Sequence, residues 1–278
     1  MRRLKEVQRL APLYAALVAM TVIVLFPLAW MLSTSLKTES EALAIPVSWW
    51  PSHPTISAYV EMWAEKPFLT YFMNSTIVSG VTALAATLLG GLAGYGFSRF
   101  RVSRAPWILG AILATQMLPG GLLIGPYFKV LSALELYNTR LGLALPFITI
   151  SLPFAIWMSK AFFDTVPKEI DESALVDGCT RWQAFRWIVV PLAAPGFVAI
   201  AIFSFLLAWQ DLLWSLVLTS TDRMRTVTVG IMLLIGLFKV KWPMLCAASL
   251  IAALPAIGLY LGLQRYLVQG LTGGAVKG

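Results

Sequence analysis

The sequence predicts an all-α membrane protein, and the main reasons are its composition and the length of its apolar runs. Hydrophobic residues make up 59% of the 278 residues, and charged residues only 12%. The runs approach the ~20 residues that an α-helix needs to cross the hydrocarbon core of a bilayer. They predict six transmembrane helices, at about residues 10–36, 71–97, 106–125, 141–163, 195–218 and 243–266.

The distribution of basic residues predicts that both chain termini lie in the cytoplasm. With six spans in that orientation, 13 of the 21 lysines and arginines fall on the cytoplasmic side and 8 on the outer side. This excess agrees with the positive-inside rule. The net charge of +8 therefore reflects a basic membrane face, and we do not expect a nucleic acid partner. The first apolar run is too long for a signal peptide and is predicted to be a retained span.

Glycine and proline distinguish the second and third spans. Gly90 and Gly94 form a small-xxx-small pair, which predicts that the second span packs closely inside the helix bundle. Pro119-Gly120-Gly121 interrupts the third span. Two interpretations stay open, because the helix either breaks at membrane depth beside a substrate path or ends near the outer surface at Pro119. Gln116, just before the interruption, is a candidate pathway residue.

Two segments are predicted to lie on the outer side of the membrane. Residues 37–70 are rich in tryptophan and tyrosine, which suit the membrane–water interface. The run Val227–Phe238 is too short to span a bilayer at ~20 residues per crossing. We therefore expect this run to be interfacial or re-entrant, because a crossing here would place the C-terminus outside.

Residues 164–194, here called the polar loop, interrupt the apolar pattern between the fourth and fifth spans. The loop holds five of the thirteen acidic residues of the chain. Pro167 suits the start of a helix, and Gly178 suits the left-handed residue that ends one. Thr180 followed by Gln183 is a capping-box pattern for a second helix. We expect two short helices joined by a bend, which form either a docking surface or a plain connector.

The polar loop carries a spaced motif, which consists of Glu172-Ser173-Ala174, Gly178, Ile188 and Val190-Pro191. It resembles the EAA motif of ABC importer permeases in all its spacings, with Ser173 and Val190 in place of an alanine and a leucine. The resemblance implies a coupling helix that sits in a cleft of a cytoplasmic ATPase. The residues assigned to this contact are Glu172, Ser173, Ala174, Asp177, Gly178 and Arg181.

The C-terminal tail, residues 267–278, provides a second resemblance. Its string GLTGGAVKG, which begins at Gly270, is similar to the C-terminus of MalG-type carbohydrate permeases. In that family the tail reaches between the two ATPase subunits, whereas the alternative interpretation is a frayed, glycine-rich end. The tail residues implied in the ATPase contact are Gly270, Thr272, Gly273, Gly274 and Lys277.

Together these resemblances imply the permease subunit of an ATP-driven, binding-protein-dependent sugar importer in the cytoplasmic membrane of a bacterium or archaeon. The implied partners are a second homologous permease, two copies of an ABC ATPase and an extracytoplasmic solute-binding protein. The chain itself would bind no cofactor, because ATP and Mg²⁺ would be used by the ATPase.

Aromatic faces and hydrogen-bonding groups in the spans are candidates for the sugar pathway, although aromatic side chains in spans more often pack or anchor. Asp211, in the fifth span, is either a functional carboxylate or a structural hydrogen-bond partner. The candidate pathway residues are Gln116, Trp209, Asp211 and Trp214.

The sequence contains no recognisable catalytic motif. It lacks a GxxxxGK[ST] phosphate loop, a nucleophile elbow and an HExxH helix, so we predict no catalytic residue. Cys179 and Cys246 lack metal-ligand spacing, so we predict no metal site. Two alternatives are a permease for a non-sugar solute, such as a glycerol-phosphate compound, and a secondary transporter driven by an ion gradient. The latter is expected to hold several buried acids or an inverted repeat, and only Asp211 lies well inside a span.

Overall fold

Helices account for nearly all of the structure, as the apolar runs predict. The computed structural model describes the backbone of residues 2–236 and 240–273, and the side chains of residues 10, 12–236 and 240–264. Within these ranges no β-strand forms, apart from one bridge between Ile235 and Val240. Four helices are long and apolar enough to span a membrane, and the number reaches six if each of two bent helix pairs counts as one span.

The chain divides into two units, and the first consists of residues 1–68 and 231–254. The most apolar stretch of its first helix has no residue buried within the described structure. Lys241 forms an ion pair with Glu65 at 2.6 Å, and the pKa of Lys241 is raised chiefly by this hydrogen bond. The helices of this unit are α1 (Arg2–Ser35), α2 (Glu39–Ala42) and α3 (Ser57–Glu65), followed later in the chain by the start of the last helix.

The second unit consists of residues 69–230 and 255–278 and carries both the polar loop and the candidate pathway residues. A 3₁₀ turn, Thr115–Met117, follows its second helix, and a π-helical turn, Phe185–Val189, lies inside the polar loop. The remaining helices of the chain are α4 (Phe68–Arg99), α5 (Ala105–Ala114), α6 (Gly120–Ala133), α7 (Arg140–Thr165), α8 (Lys168–Val176), α9 (Arg181–Ala184), α10 (Val190–Leu192), α11 (Ala194–Trp209), α12 (Leu213–Leu218), α13 (Val227–Met232) and α14 (Trp242–Gly273).

Close packing of α4 against α7 depends on two glycines, as the small-xxx-small pair predicts. A Cβ atom added at Gly90 would lie 2.5 Å from the Cβ atom of Ala155. A Cβ atom added at Gly94 would lie 2.5 Å from the Cβ atom of Ser159. Both distances are too short for real atoms, so larger residues at either glycine would push the two helices apart. The predicted close contact is confirmed.

The predicted interruption of the third span is a sharp bend. The segments Ala105–Met117 and Gly120–Ala133 meet at an angle of 96°. Pro119 lies at the N-cap of α6 with φ −58° and ψ 119°, which is incompatible with a continuing α-helix. Helix therefore resumes after the bend and extends to Ala133, beyond residue 125, where the third span was expected to end.

The two short helices expected in the polar loop are confirmed. The second begins as α9, continues through the π-helical turn and α10, and ends at Leu192. Pro191 directly follows the π-helical turn, where the regular i→i−4 hydrogen-bond pattern of the helix is already interrupted, so its missing N–H is tolerated there. The chain then bends by 76° into α11.

Three segments differ from the helical limits that the sequence predicts. The fifth span, expected over residues 195–218, is interrupted between Trp209 and Leu213 and resumes as α12. Residues 227–238 are helical only over Val227–Met232, and Phe238 lies outside the described residues. The last helix passes residue 266 and extends to Gly273. Of the tail residues, Gly270, Thr272 and Gly273 lie in α14, whereas Gly274 and Lys277 lie outside the described residues.

Candidate coupling loop and solute groove

The first helix of the polar loop, α8, has well-formed ends. Glu169 and Asp171 lie in its first turn, where negative charge favours the positive end of the helix dipole. At its C-terminus the N–H of Cys179 donates to the carbonyl of Ala174 at 3.0 Å, and the N–H of Gly178 donates to the carbonyl of Leu175 at 3.1 Å. These two bonds form a Schellman motif. The motif ends α8 and turns the chain toward α9.

Gly178 supplies the backbone conformation that this turn requires. Its φ angle is +87°, in the left-handed region that side chains with a Cβ atom rarely adopt. A Cβ atom at this position would meet no atom within 4 Å. Glycine is therefore required by the backbone angle and not by crowding, and the predicted left-handed glycine is confirmed.

The second helix of the loop starts with the predicted capping box. The N–H of Gln183 donates to Oγ1 of Thr180 at 3.3 Å, and the N–H of Thr180 donates to Oε1 of Gln183 at 2.7 Å. Both otherwise unpaired N–H groups of the helix start are thereby satisfied. The shape of the loop thus follows from hydrogen bonds between residues that are close in the sequence.

The proposed ATPase contacts separate into one exposed group and one buried residue. Ala174 is 3% exposed, so its side chain is buried and supports α8 from the inner side. Apolar side chains that the motif does not include are also exposed, among them Val176 at 87%, Trp187 at 63% and Trp182 at 57%. Apolar groups exposed beside charges are typical of protein interaction surfaces. The exposed members of the predicted set are Glu172, Ser173, Asp177, Gly178 and Arg181.

The inner side of the polar loop is anchored by aromatic packing. Phe163, Phe185, Val189 and Ala193 form a buried cluster, and Phe163 and Val189 are fully buried. The ring of Phe185 lies 4.6 Å from the ring of Tyr95, which comes from α4. Burial of this apolar surface holds the loop against the ends of α4 and α7.

Arg99 is the main polar anchor of the loop, and sequence reasoning missed it. In the sequence, Arg99 stands with Arg101 and Arg104 in a short basic segment that follows the second apolar run. In the structure it is the last residue of α4, and its Nε donates to Oδ2 of Asp171 in α8 at 2.7 Å. The available signal was the spacing of Tyr95 and Arg99, which places both polar groups on one face of a helix end. That spacing did not identify their partner.

A groove of about 400 Å³ lies beside the 96° bend and contains Gln116. The Gln116 amide donates from Nε2 to the carbonyl of Ile150 at 2.8 Å, which orients the side chain. The hydroxyls of Tyr127 and Thr149 are 2.7 Å apart on the groove wall. The lining residues are Thr115, Gln116, Leu118, Gly120, Leu123, Tyr127, Thr149, Ile150 and Pro153.

The two tryptophans predicted for the pathway are buried and lie outside the groove lining. Trp214 is 5% exposed, and its ring meets that of Tyr127 edge-to-face at 5.2 Å. It therefore supports a groove residue from behind. Trp209, also 5% exposed, contacts the ring of Phe72 at 5.3 Å and stacks on Phe205 at 5.5 Å. The structure thus brings Gln116 and Trp214 together through Tyr127, and places Trp209 elsewhere.

Asp211 caps a helix rather than lining the groove. Its Oδ1 accepts the N–H of Ser215 at 3.0 Å, which satisfies a free donor at the start of α12. Its backbone carbonyl accepts the hydroxyl of Thr228 at 2.5 Å. These contacts stabilise the chain where the fifth span is interrupted, and they agree with the structural alternative for Asp211.

Known proteins share both the sequence pattern and the fold described above. A model of the family described as binding-protein-dependent transport system inner membrane component matches residues 86–273. The chain belongs to this family. The matched residues include the polar loop and all the residues that line the groove.

Individual relatives of this inner membrane component are similar over almost their full length. The sulfoquinovosyl glycerol transport system permease protein SmoH of Agrobacterium fabrum is 36% identical over 254 residues, which cover 91% of this chain and 89% of that protein. The trehalose/maltose transport system permease protein MalG of Thermococcus litoralis is 32% identical over 277 residues, which cover 99% of each.

A solved structure shows the same fold. One chain from a bacterial ABC transporter involved in the import of the acidic polysaccharide alginate superposes with a TM-score of 0.78 at 20% identity, and the match covers 94% of this chain and 97% of that one. The predicted resemblance to ABC importer permeases is confirmed. The protein is a membrane-spanning transport subunit, and ATP hydrolysis belongs to a separate subunit.

Proposed function

We propose that this permease is the MalG-type subunit of an ATP-driven carbohydrate importer in a bacterial or archaeal cytoplasmic membrane. The observation that carries this proposal is the polar loop, which presents the exposed face of α8 between two candidate membrane helices. An exposed, well-capped helix with charges and Val176 on its surface is suited to dock into another protein. The EAA-like spacing lies on this same helix.

The proposed topology has six spans with both termini in the cytoplasm. It counts the four continuous apolar helices and one span from each of the two bent pairs. In the second pair only α11 crosses the membrane, whereas its first half, Arg181–Leu192, belongs to the polar loop. Support comes from the excess of lysine and arginine, 13 against 8, on the side that would face the cytoplasm. In this orientation the polar loop lies in the cytoplasm, and α13 lies on the outer side as an interfacial or re-entrant element.

In the proposed complex, the polar loop seats in a cleft of a cytoplasmic ABC ATPase. The Glu172 carboxylate would make a charged contact there, with Asp177 and Arg181 beside it, because all three are exposed. The backbone of Ser173 and Gly178 would lie at the same surface, whereas Ala174 would support α8 from inside. The tail, residues 267–278, would reach between the two ATPase subunits, which use ATP and Mg²⁺.

The full importer would contain a second homologous permease, two ATPase copies and an extracytoplasmic solute-binding protein. Closure of the ATPase pair on ATP would move the polar loop as a rigid body. Because the loop is anchored to the ends of α4 and α7, its movement would tilt these spans. Tilting would open the solute path alternately to each side of the membrane.

A carbohydrate substrate is supported by relatives and by the chemistry of the groove. The two relatives described above are named for sulfoquinovosyl glycerol and for trehalose and maltose. The groove offers the Gln116 amide and the Tyr127 and Thr149 hydroxyls, which can exchange hydrogen bonds with sugar hydroxyls. Of the described residues that line it, none is charged, so a neutral polyhydroxy solute fits better than a phosphate ester.

The experiment that tests this proposal is purification of the tagged chain from its native membrane under gentle conditions, with identification of the proteins that accompany it. We expect an ATPase with a GxxxxGK[ST] loop and a second permease, and carbohydrate uptake that requires ATP once the complex and its binding protein are reconstituted. A chain that purifies alone and drives uptake from an ion gradient would contradict the proposal.

A further inference from the structure

Arg99 connects three separate elements at one end of the second unit. It is the last residue of α4, and its guanidinium reaches both α8 in the polar loop and the C-terminal end of α7. The side chain is only 6% exposed, so these contacts are made away from solvent. Arginine suits such a position because its planar guanidinium carries several N–H donors in a fixed arrangement.

The guanidinium binds carbonyl groups at the C-terminal end of α7, and the carbonyl of Phe163 also accepts the N–H of Val166 at 3.2 Å. Its Nη1 donates to the carbonyl of Phe163 at 2.9 Å, and its Nη2 donates to the carbonyl of Val166 at 2.9 Å. Helices end with carbonyl oxygens that have no partner within the helix, and a cation is favoured at this end of the helix dipole. Arg99 thus holds the end of α7 through directed hydrogen bonds.

The same guanidinium holds α8 through Asp171. Nε of Arg99 lies 2.7 Å from Oδ2 of Asp171, and the hydroxyl of Tyr95 donates to the other carboxylate oxygen at 2.9 Å. The Asp171 side chain is 13% exposed, whereas Asp164 in the nearby Lys160–Asp164 pair is 42% exposed. Solvent and salt therefore screen the Arg99–Asp171 pair far less than a surface pair.

We propose that Arg99, Asp171 and Tyr95 form a positioning joint, which makes the polar loop and the ends of α4 and α7 move as one body. This inference rests on the proposed coupling function. The aromatic cluster beneath the loop is apolar, and apolar contacts are non-directional, so it permits sliding. The joint adds directed bonds, which restrict both rotation and sliding of α8. Arg99 and Asp171 need not touch the ATPase to transmit its movement.

The test is the ratio of solute imported to ATP hydrolysed, measured on the complete importer in proteoliposomes. Asp171→Asn preserves the shape of the side chain and removes its charge. We expect the ATPase to remain bound and its stimulation by the binding protein to persist, while solute imported per ATP falls roughly tenfold. Arg99→Lys should give an intermediate ratio, because one ammonium group cannot reach Asp171 and both carbonyls together.

Glu169→Gln is the matched control, because Glu169 is an exposed acid in the first turn of the same helix. Its ratio should equal that of the wild type. The double variant Arg99→Gln with Asp171→Asn should resemble the single variants if the two residues act as a unit, whereas independent roles would multiply their effects.

Two outcomes would overturn the joint. One is an unchanged ratio in Asp171→Asn, and the other is equal loss of ATPase binding, hydrolysis and uptake, which would mean that the pair serves only folding or assembly. A wild-type complex that imports solute without consuming ATP would instead contradict the proposed function, and the joint with it.

Discussion

The two bent helix pairs of the second unit differ in what fills the bend. At the 76° bend between α10 and α11, the side chains of Phe163, Phe185, Val189 and Ala193 are buried together. At the 96° bend between α5 and α6, Met117 is 84% exposed and Leu122 is 73% exposed, and α5 has no buried residue. The first bend is packed within this chain, and the second is an open surface.

Under the proposed function, this difference indicates that the polar loop and the groove at the 96° bend are built for different tasks. The polar loop must transmit force, so its geometry is set by contacts inside the permease itself. The groove at the 96° bend exposes apolar and hydrogen-bonding groups together, which suits a surface that a second permease completes around the solute. Four predictions test this contrast, and they are ordered from the largest expected effect to the smallest.

Removing a packed side chain at the 76° bend should have the largest effect. Phe185→Ala leaves a cavity beneath the polar loop, and such truncations lower the free energy of unfolding by about 3–5 kcal/mol. Leu122→Ala at the open bend is the matched control, and it should change the free energy of unfolding by less than about 0.5 kcal/mol. Thermal unfolding of the two purified variants in detergent checks the difference, and equal loss of stability in both would remove the contrast.

Glu172→Ala should affect the complex strongly and the fold very little. The side chain is exposed, so the melting temperature should match that of the wild type. Loss of a charged contact in the ATPase cleft should weaken ATPase binding by roughly tenfold or more and reduce uptake with it. Titration of the ATPase against the purified permease measures the first effect. Wild-type binding and uptake would show that coupling occurs elsewhere on the loop.

Gly178→Ala should perturb the bend between α8 and α9 through the backbone alone. Space for a methyl group exists, but an alanine at φ +87° is strained by about 1–2 kcal/mol. Gly178→Asn should be tolerated better, because asparagine adopts left-handed angles more readily. We expect a lower melting temperature and partial loss of uptake in the order Gly, Asn, Ala. If alanine and asparagine behave alike, the left-handed angle is not what the bend requires.

Gln116→Leu should have the smallest effect, confined to the open bend. The substitution removes one hydrogen-bonding group from the groove, and a single such group contributes about 1 kcal/mol, or roughly fivefold in transport rate. Stability and ATPase binding should not change, because Gln116 is exposed. Uptake at saturating binding protein measures the effect, and Leu118→Ala in the same groove is the control. A loss of ATPase binding would show that the two bends are not independent.

The sequence predicted the features that depend on neighbouring residues. The capping box of Thr180 and Gln183 and the left-handed Gly178 each involve atoms within a few positions along the chain, so their signals are local. The interruption at Pro119 was equally predictable from the sequence, because proline lacks the N–H that a continuing helix needs. The close approach of α4 and α7 followed from the small size of Gly90 and Gly94.

The roles of single polar and aromatic residues were harder to predict. Asp211, Trp209 and Trp214 have the types that sugar pathways use, yet the first caps α12 and the other two are buried in ring contacts. Ala174 belongs to the motif but packs inward, and Val176 is outside the motif but almost fully exposed. Residue type indicates what a side chain can do, whereas its neighbours decide which of those contacts it makes.

By itself the sequence determined the membrane-helical class, the two-helix polar loop and its position between spans, because hydropathy and capping act over one span or one turn. Only the tertiary structure decided the 76° and 96° bends, the burial of Ala174 and the pairing of Arg99 with Asp171. The two charged residues are separated by 72 positions. No local rule relates groups so distant, and only the packing of α4, α7 and α8 brings them within hydrogen-bonding distance.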